Sequence, residues 1–480
     1  MEFFNFNFLL LLSLLLIQHN SKIIFVLEHV RHGTRSPPFA ENSNYIDEFG
    51  TKWPGDEDLT PTGERMHYFL GVHNRIKYSS LINFTRLNPK EILILTTDTM
   101  RTIKSAAAEL HGMYLPGTGY NLTESELEHS YPPGKELLSE EANEEIQTLG
   151  NSTIINGISL FPIHFFENGK ILLNEPENCP YMTSYRLEAE KRIQKNITEL
   201  LNDFDAKFGD KLKEYLNRPN KDFIHDFNNI RKITSNYICN YDDGKDLSDF
   251  LTKTGFDKNL FYEYATKIKF FNMLYTRTDQ TAGIIGATSI MKDLINYMES
   301  KIKNENNVTY SEPKMVIQNG HDKTLNTILH FMNAAFEVPL DNITIGSHAY
   351  FELHKDDEDN TKYFVRYFFN GELLLEKDFN TFKEKVLNTV WSDEKIHKFC
   401  YPEEENKETD DKSKENNNET NKEIKDDKNN NSTTITVLII TNIITLILAV
   451  ISIILYLCQR KKNSYVNLDI VKNEKLVELN

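Results

Sequence analysis

The chain has 480 residues, 39% of them apolar, enough to build at least one ordinary core, which excludes a small disulfide-stapled scaffold. With 54 Lys and Arg against 71 Asp and Glu the formal charge is −17, which speaks against general nucleic-acid binding, because such proteins neutralise phosphates with a basic surface. Four cysteines, at 179, 239, 400 and 458, are too scattered for a disulfide framework, and no C-x-x-C or H-E-x-x-H spacing offers a metal site.

Residues 8–17 are apolar apart from Ser13, the length of a signal h-region and too short for a membrane span, so residues 1–21 are expected to be a secretory signal, although Glu2 replaces the usual basic start. A short apolar run at 23–27 then predicts a buried strand. Thr60-Pro61 opens an amphipathic helix through Met66, Phe69, Leu70 and Ile76. A second strand is predicted over 91–96, followed by helical spacing of Ile103, Ala106, Ala107, Leu110 and Tyr114.

From about 115 to 306 the chain is richer in Asn, Glu and Lys, with helical stretches at 184–208 and 261–273; it reads as an inserted, mostly helical cap. A third strand at 314–318 precedes a helix carrying Leu325, Ile328, Leu329, Met332, Ala335 and Phe336 on one face. Runs at 349–353 and 363–369, the latter before Asn370-Gly371, predict strands joined by hairpin turns that extend the sheet at an edge. The expected class is α/β, a mainly parallel sheet flanked by helices, over residues 22–401.

Residues 402–433 hold mainly Glu, Asp, Lys and Asn with Ile424 as the one aliphatic side chain, and are expected to form a disordered stalk. Residues 435–458 are almost wholly aliphatic and long enough to cross a bilayer. Arg460-Lys461-Lys462 follow, so the positive-inside rule assigns 459–480 to the cytosol and predicts a single-pass type I protein. Sequons at Asn83, Asn121, Asn151, Asn196, Asn307 and Asn342 suit a lumenal or extracellular domain.

Ligands of an open parallel sheet sit beyond the carboxyl ends of the strands, so the chemistry should follow the three predicted strands. The first runs into Arg31-His32-Gly33-Thr34-Arg35-Ser36-Pro37, the second into Thr97-Asp98-Thr99-Met100-Arg101, and the third into Asn319-Gly320-His321-Asp322. Any one of these is ordinarily a surface charge or a hydrogen-bonded loop residue; His29, beside the first, is read that way. Together they give three arginines, two histidines and an aspartate in an acidic chain, a combination that argues for an anion, and planar guanidinium forks match phosphate oxygens.

The first of these segments resembles the R-H-G-x-R-x-P signature of the histidine acid phosphatases, and His321-Asp322 resembles that family's distal H-D pair. Residues 59–68 resemble the family's helix start, residues 97–102 its T-D-x-x-R-T segment, and Asn178-Cys179-Pro180 a further landmark. The resemblance runs discontinuously from about residue 22 to 400. It implies a phosphoglycerate mutase-like fold and hydrolysis of small phosphate monoesters at acid pH, with no metal or other cofactor. It implies His32 as the nucleophile that becomes phosphorylated, Arg31, Arg35, Arg101 and His321 as the clamp on the phosphate oxygens, and Asp322 as the proton donor to the leaving alcohol.

It also implies a Cys179–Cys400 disulfide, with Cys239 free or intermolecular. Lys323 departs from the family, many of whose members carry Thr there. An inositol polyphosphate or lysophosphatidate phosphatase is a second reading, and a non-catalytic surface receptor for phosphorylated ligands a third, disfavoured because every motif residue is present. A homodimer stays open. The expected address is the lysosomal or endosomal membrane or the cell surface, and Tyr465-Val466-Asn467-Leu468 resembles a tyrosine-based sorting signal.

Overall fold

The computed structural model describes residues 21–402, apart from 39–44, 56, 132–138, 167–172, 174, 219–222, 274–278 and 306–311. The expected signal, stalk, membrane span and tail lie outside the described residues but for Ser21 and Pro402. Among the described residues no helix is long and apolar enough to cross a membrane.

One seven-stranded sheet runs in the order β3-β2-β4-β1-β5-β6-β7, from β1 (Ser21–Arg31), β2 (Ile92–Thr96), β3 (Ile163–Phe165), β4 (Met315–Gly320), β5 (His348–Asp356), β6 (Tyr363–Phe369) and β7 (Glu372–Asp378). The sheet is mixed. β3, β2, β4 and β1 pair in parallel, while β5, β6 and β7 are added antiparallel on the far side of β1. β1 is central and its side chains alternate between two cores: Phe25 and Leu27 face one, Val26 and Val30 the other.

Helices cover both faces. Ala106, Leu110 and Met113 of α2 (Met100–Met113) pack with Val26, Val30, Ile94 and Ile317, and α1 (Pro61–Lys77) crosses α2 closely. A separate aromatic core in the cap joins Ile230, Ile233 and Tyr237 of α3 (Phe227–Asp242) to Phe261, Tyr264 and Ile268 of α4 (Lys258–Phe271). The opposite face of the sheet carries α5 (Gln280–Asn304), α6 (Asp322–Phe336) and α7 (Phe379–Thr389), whose Met291, Leu294, Leu325, Leu329 and Phe382 meet Phe25, Leu27, Val316 and Phe351. Each such apolar side chain, fully buried, stabilises the fold by ~1.5–3 kcal/mol.

Several elements differ from expectation. α5 falls within the stretch read as cap, yet its buried face packs on the sheet; the polar composition averaged over that stretch concealed one long, apolar-faced helix. The expected helix over 184–208 breaks into Met182–Arg192, Gln194–Phe204 and a π-helical turn at Asp205–Gly209. β3 has three residues, too few for an alternating pattern to register. β1 continues past the apolar run to Arg31 because partners on both sides satisfy its backbone, so His29 is a strand residue. It is buried, and neither ring nitrogen has a hydrogen-bond partner.

The start of α1 is pressed against the loop after β1. A Cβ on Gly33 would lie 2.4 Å from the Gly63 carbonyl oxygen, and one on Gly63 2.3 Å from that of Thr34, so only glycines permit this approach. Thr60 caps the helix by accepting from Gly63 N at 3.2 Å, with Pro61 in the first turn. Cys179 is disulfide-bonded to Cys400 across a separation of 221 residues. Cys239 is free and buried.

Candidate active site

β4 lies between β1 and β2, and the register pairs Arg31 with Gly320 and Thr96 with Asn319, so the carboxyl ends of three strands distant in sequence meet. Backbone bonds continue the alignment past the strands: His32 N donates to Gly320 O at 3.0 Å and Thr97 N to Asn319 O at 3.3 Å. Gly33 N donates to Ser105 Oγ of α2 at 3.1 Å, tying the loop down.

His32 is buried at the floor of this crossing. Its Nδ1 lies 2.8 Å from the Gly33 carbonyl oxygen. A carbonyl only accepts, so Nδ1 carries the proton and Nε2 keeps its lone pair. The His321 ring stands 5.6 Å away, nearly edge-on. His321 accepts at Nδ1 from Arg101 Nη2 at 3.4 Å, which leaves Nε2–H to donate to Thr97 Oγ1 at 3.0 Å.

Three guanidinium groups surround the histidines. Arg31, buried at the end of β1, donates from Nη1 to Ile343 O at 3.1 Å and pairs through Nη2 with Asp322 Oδ2 at 2.9 Å. Arg35 donates from Nη1 to Ser36 O at 2.8 Å. Arg101, in the first turn of α2, pairs through Nη1 with Glu57 Oε2 at 2.8 Å. The Nε–H of each of the three is buried without an acceptor. Native proteins rarely leave a buried donor unpaired, and three such N–H groups at one place could receive an anion's oxygens.

Charge tunes the titrating groups in the same direction. Burial, then Arg31, Arg35, His321 and Arg101, hold the His32 imidazole well below its ordinary value, so it stays neutral in acid. Burial and Arg101 bring His321 down to about 4. Burial pushes the Asp322 carboxyl up, but Arg31, Lys269, His321 and Arg35 together outweigh it and hold the group well below the usual carboxylate range. Lys269, reaching in from α4 of the cap, is brought down to about 8 by burial and by Arg31.

Beneath the site, buried polar groups hold the backbone of Arg31. His67 Nε2 donates to Arg31 O at 3.1 Å, which leaves Nδ1 to accept from the Glu109 carboxyl at 3.4 Å. That bond requires a protonated Glu109, and burial pushes its carboxyl up to about 8. Asn74 donates to Glu28 Oε2 at 2.8 Å and to Glu109 Oε1 at 3.0 Å, and accepts from Tyr350 Oη at 2.7 Å. Glu28 is likewise raised, by burial and then by Glu109.

A carboxyl raised in the folded state confers stability that is complete below its unfolded value near 4.5 and is lost as pH climbs towards the folded value, at roughly 1.4 kcal/mol per pH unit. The buried histidines, with lowered values, act in the opposite sense, so the informative quantity is the difference between two proteins. Glu109→Gln should match wild type in denaturant stability near pH 4.5 and exceed it progressively towards pH 8. A constant difference across that range would mean that Glu109 folds ionised.

Residues 22–370 match the profile of the histidine phosphatase superfamily (branch 2). The chain belongs to that family. Over 108 residues it is 35% identical to lysosomal acid phosphatase of Xenopus laevis, covering 22% of this chain and 24% of that one. Over 93 residues it is 38% identical to the Bos taurus protein of the same name, covering 19% and 21%. These matches thus span less than a quarter of the relatives' length. The fold of Hafnia alvei phytase in complex with tartrate superposes with a TM-score of 0.50 at 13% identity, covering 77% of this chain and 98% of that one. This histidine phosphatase therefore has the phosphoglycerate mutase-like α/β architecture.

All six residues expected at the site, Arg31, His32, Arg35, Arg101, His321 and Asp322, come together. Lys323 pairs with Glu175 at 3.2 Å, and its charge adds to those that lower His321. Three neighbours of the arginines had no sequence signal. Glu57 precedes a recognisable motif without being part of it, and Asp242 and Lys269 lie on cap helices where a polar residue is ordinarily a solvated one. Asp242 accepts from Tyr262 Oη at 2.7 Å.

Proposed function

We propose that this histidine phosphatase hydrolyses phosphate monoesters at acid pH through a phosphohistidine on His32. The observation that carries the reading is the trio of buried, unpaired Nε–H groups on Arg31, Arg35 and Arg101 around a histidine whose Nε2 bears a free lone pair. In the first step the Nε2 lone pair attacks phosphorus while the ester P–O bond breaks, and Asp322 gives its proton to the departing alkoxide. In the second, water attacks phosphorus, the N–P bond breaks, the water's proton returns to Asp322, and inorganic phosphate leaves. The arginines stabilise the charge on the non-bridging oxygens throughout, and His321, accepting from Arg101 Nη2, steadies that guanidinium.

Asp322 is ionised while it pairs with Arg31. A bound phosphate dianion competes for the same guanidinium and adds negative charge beside the carboxylate, and both effects favour proton uptake by Asp322. Substrate thus arms its own acid, and a low ambient pH supplies the proton. The 435–458 span, the basic residues after it and the sequons support a membrane-anchored protein facing a lumen or the exterior. The partial likeness to lysosomal acid phosphatases supports a lysosomal or endosomal address.

Full-length protein in detergent should release phosphate from simple aryl and alkyl phosphates, with kcat/KM rising from neutral to acid pH. Phosphate binding without turnover of any ester would favour a receptor instead.

A further inference from the structure

Glu57 makes two contacts that the catalytic reading does not use. Its Oε2 pairs with Arg101 Nη1 at 2.8 Å and its Oε1 approaches Arg35 Nη2 at 3.8 Å, so one carboxylate spans two of the three guanidinium groups. It does so from a backbone with φ of 51°, in the left-handed region that disfavours a side chain other than glycine or asparagine. The side chain is 27% exposed. The next residue anchors the loop independently: Asp58 pairs through both oxygens with Lys104 at 2.9 Å, and its backbone N donates to Ser36 Oγ at 2.9 Å. The Glu57 carboxylate can therefore swing away without the loop letting go.

A planar anion bridging two arginines of a phosphate clamp occupies electrostatically what a phosphoryl group needs. We infer that Glu57 is a resident competitor for Arg35 and Arg101, one that substrate must displace and that returns as inorganic phosphate leaves, so that affinity for both is set lower than the clamp alone would give. The inference rests on the phosphatase reading above. A phosphate dianion carries more charge and more acceptor oxygens than the carboxylate and can also engage the unpaired Nε–H groups, which is why it wins the exchange.

The test is calorimetric binding of inorganic phosphate, together with steady-state turnover, for full-length wild type, Glu57→Gln and Glu57→Gly. The glycine variant also relieves the positive φ, so folding is not at stake. Both variants should bind phosphate about twofold to fivefold more tightly, the scale of one partly exposed ion pair. KM should fall in parallel, with the gain appearing in KM rather than in kcat. Equal or weaker phosphate binding in both variants, with wild type active, would overturn the inference and leave Glu57 as a residue that steadies the arginines. A wild type that neither binds phosphate nor turns over substrate would instead sink the phosphatase reading itself.

Discussion

His32→Ala should bind inorganic phosphate nearly as well as wild type and lose turnover by ~10⁴-fold or more, the scale seen when a covalent nucleophile is removed from a catalytic unit that otherwise persists. The asymmetry follows from the division of labour in the site. Phosphate is held by guanidinium groups anchored elsewhere, Arg31 on Ile343 and Asp322, Arg35 on Ser36, and Arg101 on His321. Only Nε2 of His32 makes and breaks the bond to phosphorus in the proposed reaction. Labelling with a radioactive ester and quenching in base, since N–P bonds hydrolyse in acid, should trap phosphate on wild type and none on the variant. Wild-type activity should also persist well below pH 6.5, because burial and the surrounding positive charge keep His32 unprotonated there. Near-normal turnover of the alanine variant would remove His32 from its role.

Asp322→Asn should discriminate between substrates, because a general acid matters only as far as the leaving group needs a proton. Alkyl phosphates leave as strongly basic alkoxides; a nitrophenolate departs unaided. Phosphorylation of His32 should therefore slow by ~10²–10⁴-fold for alkyl esters and far less for nitrophenyl phosphate. Asparagine preserves the size of the side chain but removes the charge paired with Arg31, so affinity changes are expected for both substrates alike. Pre-steady-state bursts separate this step from dephosphorylation, in which Asp322 also takes part. Equal losses in the two burst rates would mean that Asp322 orients Arg31 or His321 and transfers no proton.

What could be read from the chain alone was whatever depends on short range. Strand-length apolar runs at 23–27, 91–96 and 314–318 with charged motifs immediately after them sufficed to propose an α/β fold and an anion site at three strand ends, because a strand's carboxyl end is a local property of sequence. Arg31, His32, Arg35, Arg101, His321 and Asp322 all stand in those motifs. Composition was less informative in the cap, where α5 resembled its polar surroundings although it packs on the sheet through Met291 and Leu294.

How the six act on one another depends on packing between distant segments. The order β2-β4-β1 brings His32 within ring contact of His321, 289 positions further along the chain by their numbers, and sets Asp322 on Arg31. The tautomer of His32, the proton on Glu109 beneath it, and the placing of Glu57 and Lys269 beside the arginines all follow from burial and from charges that meet across distant segments. Sequence spacing carries no information about such groups, because desolvation and Coulomb interaction depend on separation in space and not on position along the chain.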